Sequence, residues 1–344
     1  MGALVSLHDH LDGGVRAETL CELTDRYGGV LVGLDRLAIE TKLSLAARTG
    51  GSLASYLEPF EWVTELLRTP EDLHRVAREA VWDLAADGVR HAEIRFAPRL
   101  YERWGVSVDE AIEAVADGVL QAASELRVSA GVIVCGMRHE RDLTHDAEAC
   151  VRWWRREVVL GFDIAGDEAR WPVADHTAVI GRLVANGVPV TIHAGEAAGW
   201  ESVRDALHAS SWRCRIGHGV RAVENPAFMD ELAGRGVHLE VCPSSNVHTG
   251  VVRSLEEHPL RVLYERGVQL SVSSDNRSMS ATSTSAELRQ VREANSWSET
   301  ELSRLQEMAV DAAWCDDATK AWLRGTLINN TKEIQVLAPG LVRD

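Results

Sequence analysis

Eight short segments rich in Val and Ile recur along the chain, with helix-patterned stretches between most of them. This alternation narrows the possible folds more than any other feature. The segments are residues 5–11, 91–97, 129–135, 158–164, 188–193, 214–217, 237–242 and 268–273, several of them followed by Gly, Ser or Pro as strands commonly are. Strand–helix alternation over this length implies a mainly parallel α/β sheet, either a closed (β/α)8 TIM barrel or an open doubly wound sheet. Eight strands favour the barrel.

The helical stretches carry their own punctuation. Thr69 is placed to cap a helix that begins at Pro70, with Glu71 and Asp72 in its first turn. Leu73, Val76, Ala77, Ala80 and Leu84 then form an apolar stripe that ends at Gly88. Ser107 opens a second helix, with Ile112, Val115 and Val119 on one face, and the ranges 173–186, 226–236 and 260–267 also fit helices. Residues 13–68 are too many for one crossover helix, so extra helices are expected after the first strand, lying over the barrel mouth as a lid. No low-complexity tract or Pro-rich linker divides the chain, and residues 1–344 are read as one barrel domain.

Composition removes several function classes. The 52 acidic residues outnumber the 36 Lys and Arg, a net charge of −16, which disfavours a nucleic-acid backbone or an anionic membrane surface as partner. No apolar run is long enough to span a bilayer. The first ten residues lack a basic region followed by an apolar core, so no secretory signal is visible. The six cysteines contain no CxxC pair and read as buried thiols of a soluble, cytoplasmic protein. A G-x-S-x-G elbow is absent, which argues against a serine hydrolase of that type. The H-x-E and P-C-x-x-C pair of the base-editing zinc deaminases is absent too.

Unusual residues gather at the carboxyl ends of the expected strands. His8 and His10 stand two apart, hence on one side of the first strand, with Asp12 and Gly13 following. Later strands end in Asp163-Ile-Ala-Gly166-Asp167-Glu168, His193-Ala-Gly195-Glu196, Gly217-His218-Gly219 and Ser273-Ser274-Asp275-Asn276. In a parallel barrel these ends share one face, where catalytic residues of such barrels lie. A lone strand histidine is more often a hydrogen-bonded packing residue, which is the reading for His74, His91, His139, His145, His176, His208, His238, His248 and His258. Asp167 reads as a helix cap. An HxH pair alone is evenly balanced between packing and metal binding. Adding His193, His218 and Asp275 at matching strand ends tips it, because imidazole and carboxylate are ligands that zinc accepts. Burying so many ionisable groups at the mouth of an apolar barrel is costly without a metal or substrate.

Leu7-His8-Asp9-His10-Leu11-Asp12-Gly13, Phe162–Glu168, Thr191-Ile192-His193-Ala194-Gly195-Glu196, Ile216–Gly219 and Ser274-Asp275-Asn276 together resemble the ordered motif set of the adenosine deaminase family. Residues 52–60, 92–98 and Glu240-Val241-Cys242-Pro243-Ser244 resemble it as well, so the likeness runs from about residue 4 to about residue 320. The resemblance implies one Zn2+ per chain, held by His8, His10, His193 and Asp275. Zinc lowers the pKa of its water from about 16 to about 7, so a hydroxide is available to attack C6 of a 6-aminopurine. His218 and Asp275 would orient that water and accept its proton, and Glu196 would protonate the ring nitrogen N1. Proton donation there neutralises charge as the addition breaks the ring's aromaticity. His10 would lie against the substrate as well as the metal. The amide of Gly166 would donate to purine N3, Asp12 would accept from a ribose hydroxyl, and Tyr56, Leu57 and Phe60 would form an apolar edge beside the ring. The chain reads Asp275-Asn276 where many members have two aspartates. An Asn amide can donate to purine N7 directly, whereas a carboxyl must first hold a proton. With Ser273-Ser274, where Asn-Thr is frequent, this bears on which 6-aminopurine is preferred.

The implied activity is hydrolytic deamination of adenosine or 2′-deoxyadenosine to the inosine product and ammonia. The alternatives are deamination of another 6-aminopurine (adenine, a modified nucleoside or a biosynthetic intermediate) and a non-catalytic nucleoside-binding barrel. Asp12 favours a nucleoside, since a ribose-reading carboxylate is wasted on a bare base.

Overall fold

The parallel strands pair in strict sequence order, β1 to β8, in a sheet that curls until its last strand meets its first. Their ranges are β1 Leu4–His10, β2 Val89–Phe96, β3 Ser129–Met137, β4 Val159–Ala165, β5 Val190–Ala194, β6 Cys214–His218, β7 His238–Val241 and β8 Gln269–Val272. The computed structural model describes residues 3–156 and 159–337. Among the described residues these eight strands form a nearly closed (β/α)8 barrel, each within two residues of its expected range at either end. Val158, the expected start of the fourth strand, lies outside the described residues.

The period of two along each strand decides what faces where. Val5 and Leu7 of β1 pack outward with Ala309 and Val310 of the helix Glu299–Ala312 and with Ala313 just beyond its end. Their neighbours His8 and His10 turn inward, where they meet Glu240 and His193. Likewise Ile94 and Phe96 of β2, Phe162 and Ile164 of β4, and Leu239 and Val241 of β7 join the apolar layer under the helices. The inward positions of the same strands carry Glu93, Arg95, Asp163 and Glu240, all fully buried. The barrel interior is therefore not the apolar core expected from the strand pattern but a column of paired charges.

The barrel closes without a regular β8–β1 ladder. The His10 amide donates to the Asp275 carbonyl at 2.8 Å and the Asp275 amide to the His8 carbonyl at 3.0 Å. Lower down, the amides of Leu7 and Val5 donate to Ser273 Oγ (3.2 Å) and Gln306 Oε1 (2.8 Å). The helix Glu299–Ala312 covers this seam by packing on both strands.

The expected helix starts are present with their caps. Thr69 and Asp72 form a reciprocal capping box at the helix Pro70–Ala86, and Ser107 and Glu110 form another at Val108–Leu126. The expected helix over 173–186 begins instead with a 3-10 turn, Val173–His176, before the α-helix Thr177–Ala185. Between β1 and the helix Pro70–Ala86 lie four further α-helices, Ala17–Tyr27, Arg36–Thr49, Leu53–Tyr56 and Glu58–Thr64. No helix among the described residues is long and apolar enough to cross a membrane.

Candidate active site

Four potential metal donors converge at the carboxyl end of the barrel. β1 brings His8 and His10, β5 brings His193, and the turn after β8 brings Asp275. His10 Nε2 is 3.2 Å from His193 Nε2, and Asp275 Oδ1 is 3.4 Å from both His8 Nε2 and His10 Nε2. Nitrogen and oxygen donors about 2.05 Å from a zinc ion at tetrahedral angles stand about 3.3 Å apart, so the spacing fits that ion. His8 Nε2 is fully buried and has no hydrogen-bond partner, an arrangement that costs free energy unless a ligand meets it.

Each of two of these candidate donor histidines has its other nitrogen held by a carboxylate. His8 Nδ1 meets Glu240 Oε2 at 2.8 Å, and His193 Nδ1 meets Asp163 Oδ1 at 3.1 Å. Such partners fix the ring orientation and the tautomer that presents Nε2 to a metal. One guanidinium joins the two: Arg95 donates through Nη1 to Asp163 Oδ2 (2.9 Å) and through Nη2 to Glu240 Oε2 (2.7 Å). Below it Arg215 pairs with Glu93 and, at 2.7 Å from its Nε, with Glu240 Oε1. Burial alone would raise the Glu240 carboxyl, but Arg95 and Arg215 hold it well below the usual carboxylate range.

Glu196 lies beside the four donors on the turn after β5. Burial pushes its carboxyl well above the ordinary value, and the charges of Asp275 and Glu168 push it further. Both causes favour the protonated form, the state a proton donor needs. Glu168 builds the turn as well: its carboxylate accepts the amides of Gly195 (2.6 Å), Glu196 (3.0 Å) and Ala198 (3.0 Å). Gly195 stands at φ +70°, where a Cβ would also fall 2.4 Å from Val203 Cγ2, so no side chain fits there. His218 Nε2 is 3.6 Å from Glu196 Oε2. His218 and Asp275 themselves adopt positive φ, 61° and 59°, a strained conformation for residues with a Cβ and one that clusters at functional sites.

A cleft of about 490 Å3 opens above these groups, within the size range of small-molecule sites. Its lining includes His10, Asp12, Leu57, Phe60, Gly166, Glu196, His218, Asp275 and Asn276, so every residue expected in the site reaches it except His8, which lies beneath. Tyr56, Leu57 and Phe60 come from the short helices after β1, and the Phe60 ring is 6.4 Å from that of His10. Gly166 has φ +108°, a conformation that favours glycine and leaves its backbone open to a ring. The buried Asp12 Oδ1 has no partner. The Asn276 amide nitrogen, expected to meet the purine, donates to the Tyr56 hydroxyl at 3.0 Å, while Oδ1 is buried without a partner. Asp167 Oδ1 accepts the Arg170 amide at 3.3 Å, a local capping bond.

Sequence reasoning assigned no part to Arg95, Glu240, Glu168 or Asn246. Asn246 lies on the short helix Pro243–His248, and its Nδ2 is 3.1 Å from His218 Nδ1. The start of that helix is held by Glu287, which accepts the Ser244 amide at 3.0 Å and the Thr282 hydroxyl at 2.7 Å. Burial raises the Glu287 carboxyl from 4.5 to about 7. Unfolding releases this proton between those pH values, so Glu287 removes about 3 kcal/mol of stability as pH rises through the window. In denaturant titrations at pH 4.5 and pH 8, Glu287→Gln is therefore expected to gain about that much relative to the parent at the higher pH. A pH-independent difference between the two would refute the assignment.

A family model described as Adenosine deaminase matches residues 3–330. An adenosine deaminase of Mycolicibacterium vanbaalenii is 41% identical over 325 residues, covering 90% of this chain and 89% of that protein. Among solved structures, an adenine deaminase from Arthrobacter aurescens superposes with a TM-score of 0.88 at 25% identity, covering 96% of this chain and all of the other. A zinc-bound amidohydrolase from Burkholderia ambifaria superposes with a TM-score of 0.86 at 26% identity, covering 97% and 92% of the two chains.

Proposed function

The chain belongs to the adenosine deaminase family, and from that premise we propose that it deaminates adenosine and 2′-deoxyadenosine to inosine and 2′-deoxyinosine with one zinc ion per chain. The carrying observation is the set of four donors, all within 4.8 Å of one another and three pairs of them at 3.2–3.4 Å, at the floor of a cleft that also holds the buried Glu196. Zinc bound by His8, His10, His193 and Asp275 would supply a water with a pKa near about 7, a nucleophile at neutral pH. The side chains do the rest. Asp275 and His218 flank the attacking water and orient it towards C6, and Asp275 takes its proton. Glu196 donates its proton to N1 as the C6–O bond forms, so negative charge never accumulates on the ring. The proton held by Asp275 passes to the amino group, the C6–N bond breaks and ammonia leaves, while the remaining hydroxyl proton on the C6 oxygen returns to the Glu196 carboxylate and leaves the 6-oxopurine.

Positioning follows from the cleft. The Gly166 amide is available to N3, and Asp12, with an unpartnered oxygen, is available to a ribose hydroxyl. That unpartnered oxygen favours a nucleoside over a free base, because adenine would leave it unmatched. The six cysteines are all free, three of them buried, which supports a reducing, cytoplasmic setting.

The test is ammonia release by the zinc-loaded protein from adenosine, 2′-deoxyadenosine, adenine and 5′-substituted adenosines. Adenosine and its deoxy form are expected to lead the series. Activity should vanish on chelation and return with zinc. A zinc-replete protein that releases ammonia from none of them would overturn the proposal, and one that prefers adenine would remove the role given to Asp12.

A further inference from the structure

We propose that a hydrogen-bond chain through His258 and Asn246 holds His218 with its proton on Nε2, so that this imidazole enters the active site as a donor and not as a base. The idea deepens the deaminase reading and rests on it for the identity of the attacking water.

The direction of every link follows from one backbone group. An amide N–H can only donate, and that of Leu260 meets His258 Nδ1 at 3.1 Å. Nδ1 of His258 is therefore the bare nitrogen, and the proton of the neutral ring is on Nε2. Burial lowers the His258 pKa to about 3, so the ring is neutral across the working range. Its Nε2 lies 3.2 Å from Asn246 Oδ1, which accepts that proton's bond. The other end of the amide must then be the NH2 group, and Nδ2 donates to His218 Nδ1 at 3.1 Å. A neutral imidazole that accepts at Nδ1 carries its proton at Nε2. All three side chains are buried, Asn246 completely, so no solvent competes for these bonds.

The consequence divides the two roles that the family resemblance gave jointly to His218 and Asp275. His218 has no free lone pair facing the cleft, so it cannot take the water's proton without breaking the chain behind it. It donates to the water's oxygen instead, which aims a lone pair at C6 and favours negative charge there. Asp275 is left as the acceptor of the proton. Asn246 and His258 are positioning residues, acting through His218.

Long-range 1H–15N correlation spectra of the zinc-loaded, histidine-labelled protein read the protonated nitrogen of His218 directly, with no substrate present. Protonated Nε2 and bare Nδ1 are expected; the reverse pattern overturns the proposal whatever the enzyme turns over. Asn246→Asp places a pure acceptor behind Nδ1, which should move the proton to Nδ1. That variant should keep its zinc and its KM while losing about 100-fold or more in kcat, as catalytic imidazoles held in the wrong tautomer do. A parental kcat with the proton moved to Nδ1 would equally overturn it. Should Asn246→Asp not fold, His258→Phe removes the donor that fixes the amide and should yield a mixture of both His218 forms in the same spectra. A single unchanged form would contradict the chain. If the parent protein released no ammonia from any 6-aminopurine, the function reading would fail while the spectra still decided the tautomer.

Discussion

Replacing Glu196 by glutamine is expected to leave zinc content and fold unchanged while lowering kcat by roughly 10²–10⁴-fold, the range of a positioned general acid. Gln matches Glu in size, so the turn pinned by Glu168 through the amides of Gly195, Glu196 and Ala198 should persist. What is lost is a transferable proton: an amide can donate a hydrogen bond to N1 but cannot release the proton to it. KM should therefore change far less than kcat. Steady-state kinetics with metal analysis checks this, and a variant that deaminates adenosine at nearly the parental rate would assign the proton to another group.

Arg95→Met is expected to cost about 3–5 kcal/mol of stability, because it leaves the buried Asp163 without a guanidinium partner and Glu240 with Arg215 alone. The same substitution should weaken zinc binding by about 10–100-fold, since those carboxylates orient His193 and His8. Denaturant unfolding and chelator competition separate the two effects. Parental values in both would mean that the carboxylates keep their places without the guanidinium between them.

The barrel was legible in the sequence because a parallel strand buried on both faces leaves a short β-branched run, and each such run was found. The convergence of the four candidate donors was legible because strand ends in a barrel share one face, which converts distance along the chain into proximity. The orienting layer was not. Glu240 lies 232 residues from His8 in sequence and Asp163 lies 68 from Arg95. A buried Glu or Arg is spelled the same as an exposed one, and the expectation of an apolar barrel interior concealed them. His258 was read as a packing histidine; it is buried and hydrogen-bonded, yet the bond leads to His218 through Asn246. The helix Glu299–Ala312 was not read at all, although Ser298 and Glu301 carry the same capping box as the helices that were.

The seam of the barrel is fastened by the backbone of the residues that would grip the ion: His10 to Asp275, and Asp275 to His8. During synthesis His8 and His10 emerge first and Asp275 follows 265 residues after His10, so a chain cut short just before that point has three of the four donors and an open edge. On this reading metal uptake doubles as a check that translation reached its last quarter. A truncated product would leave the edge of β1 unpaired, a template for pairing with another chain.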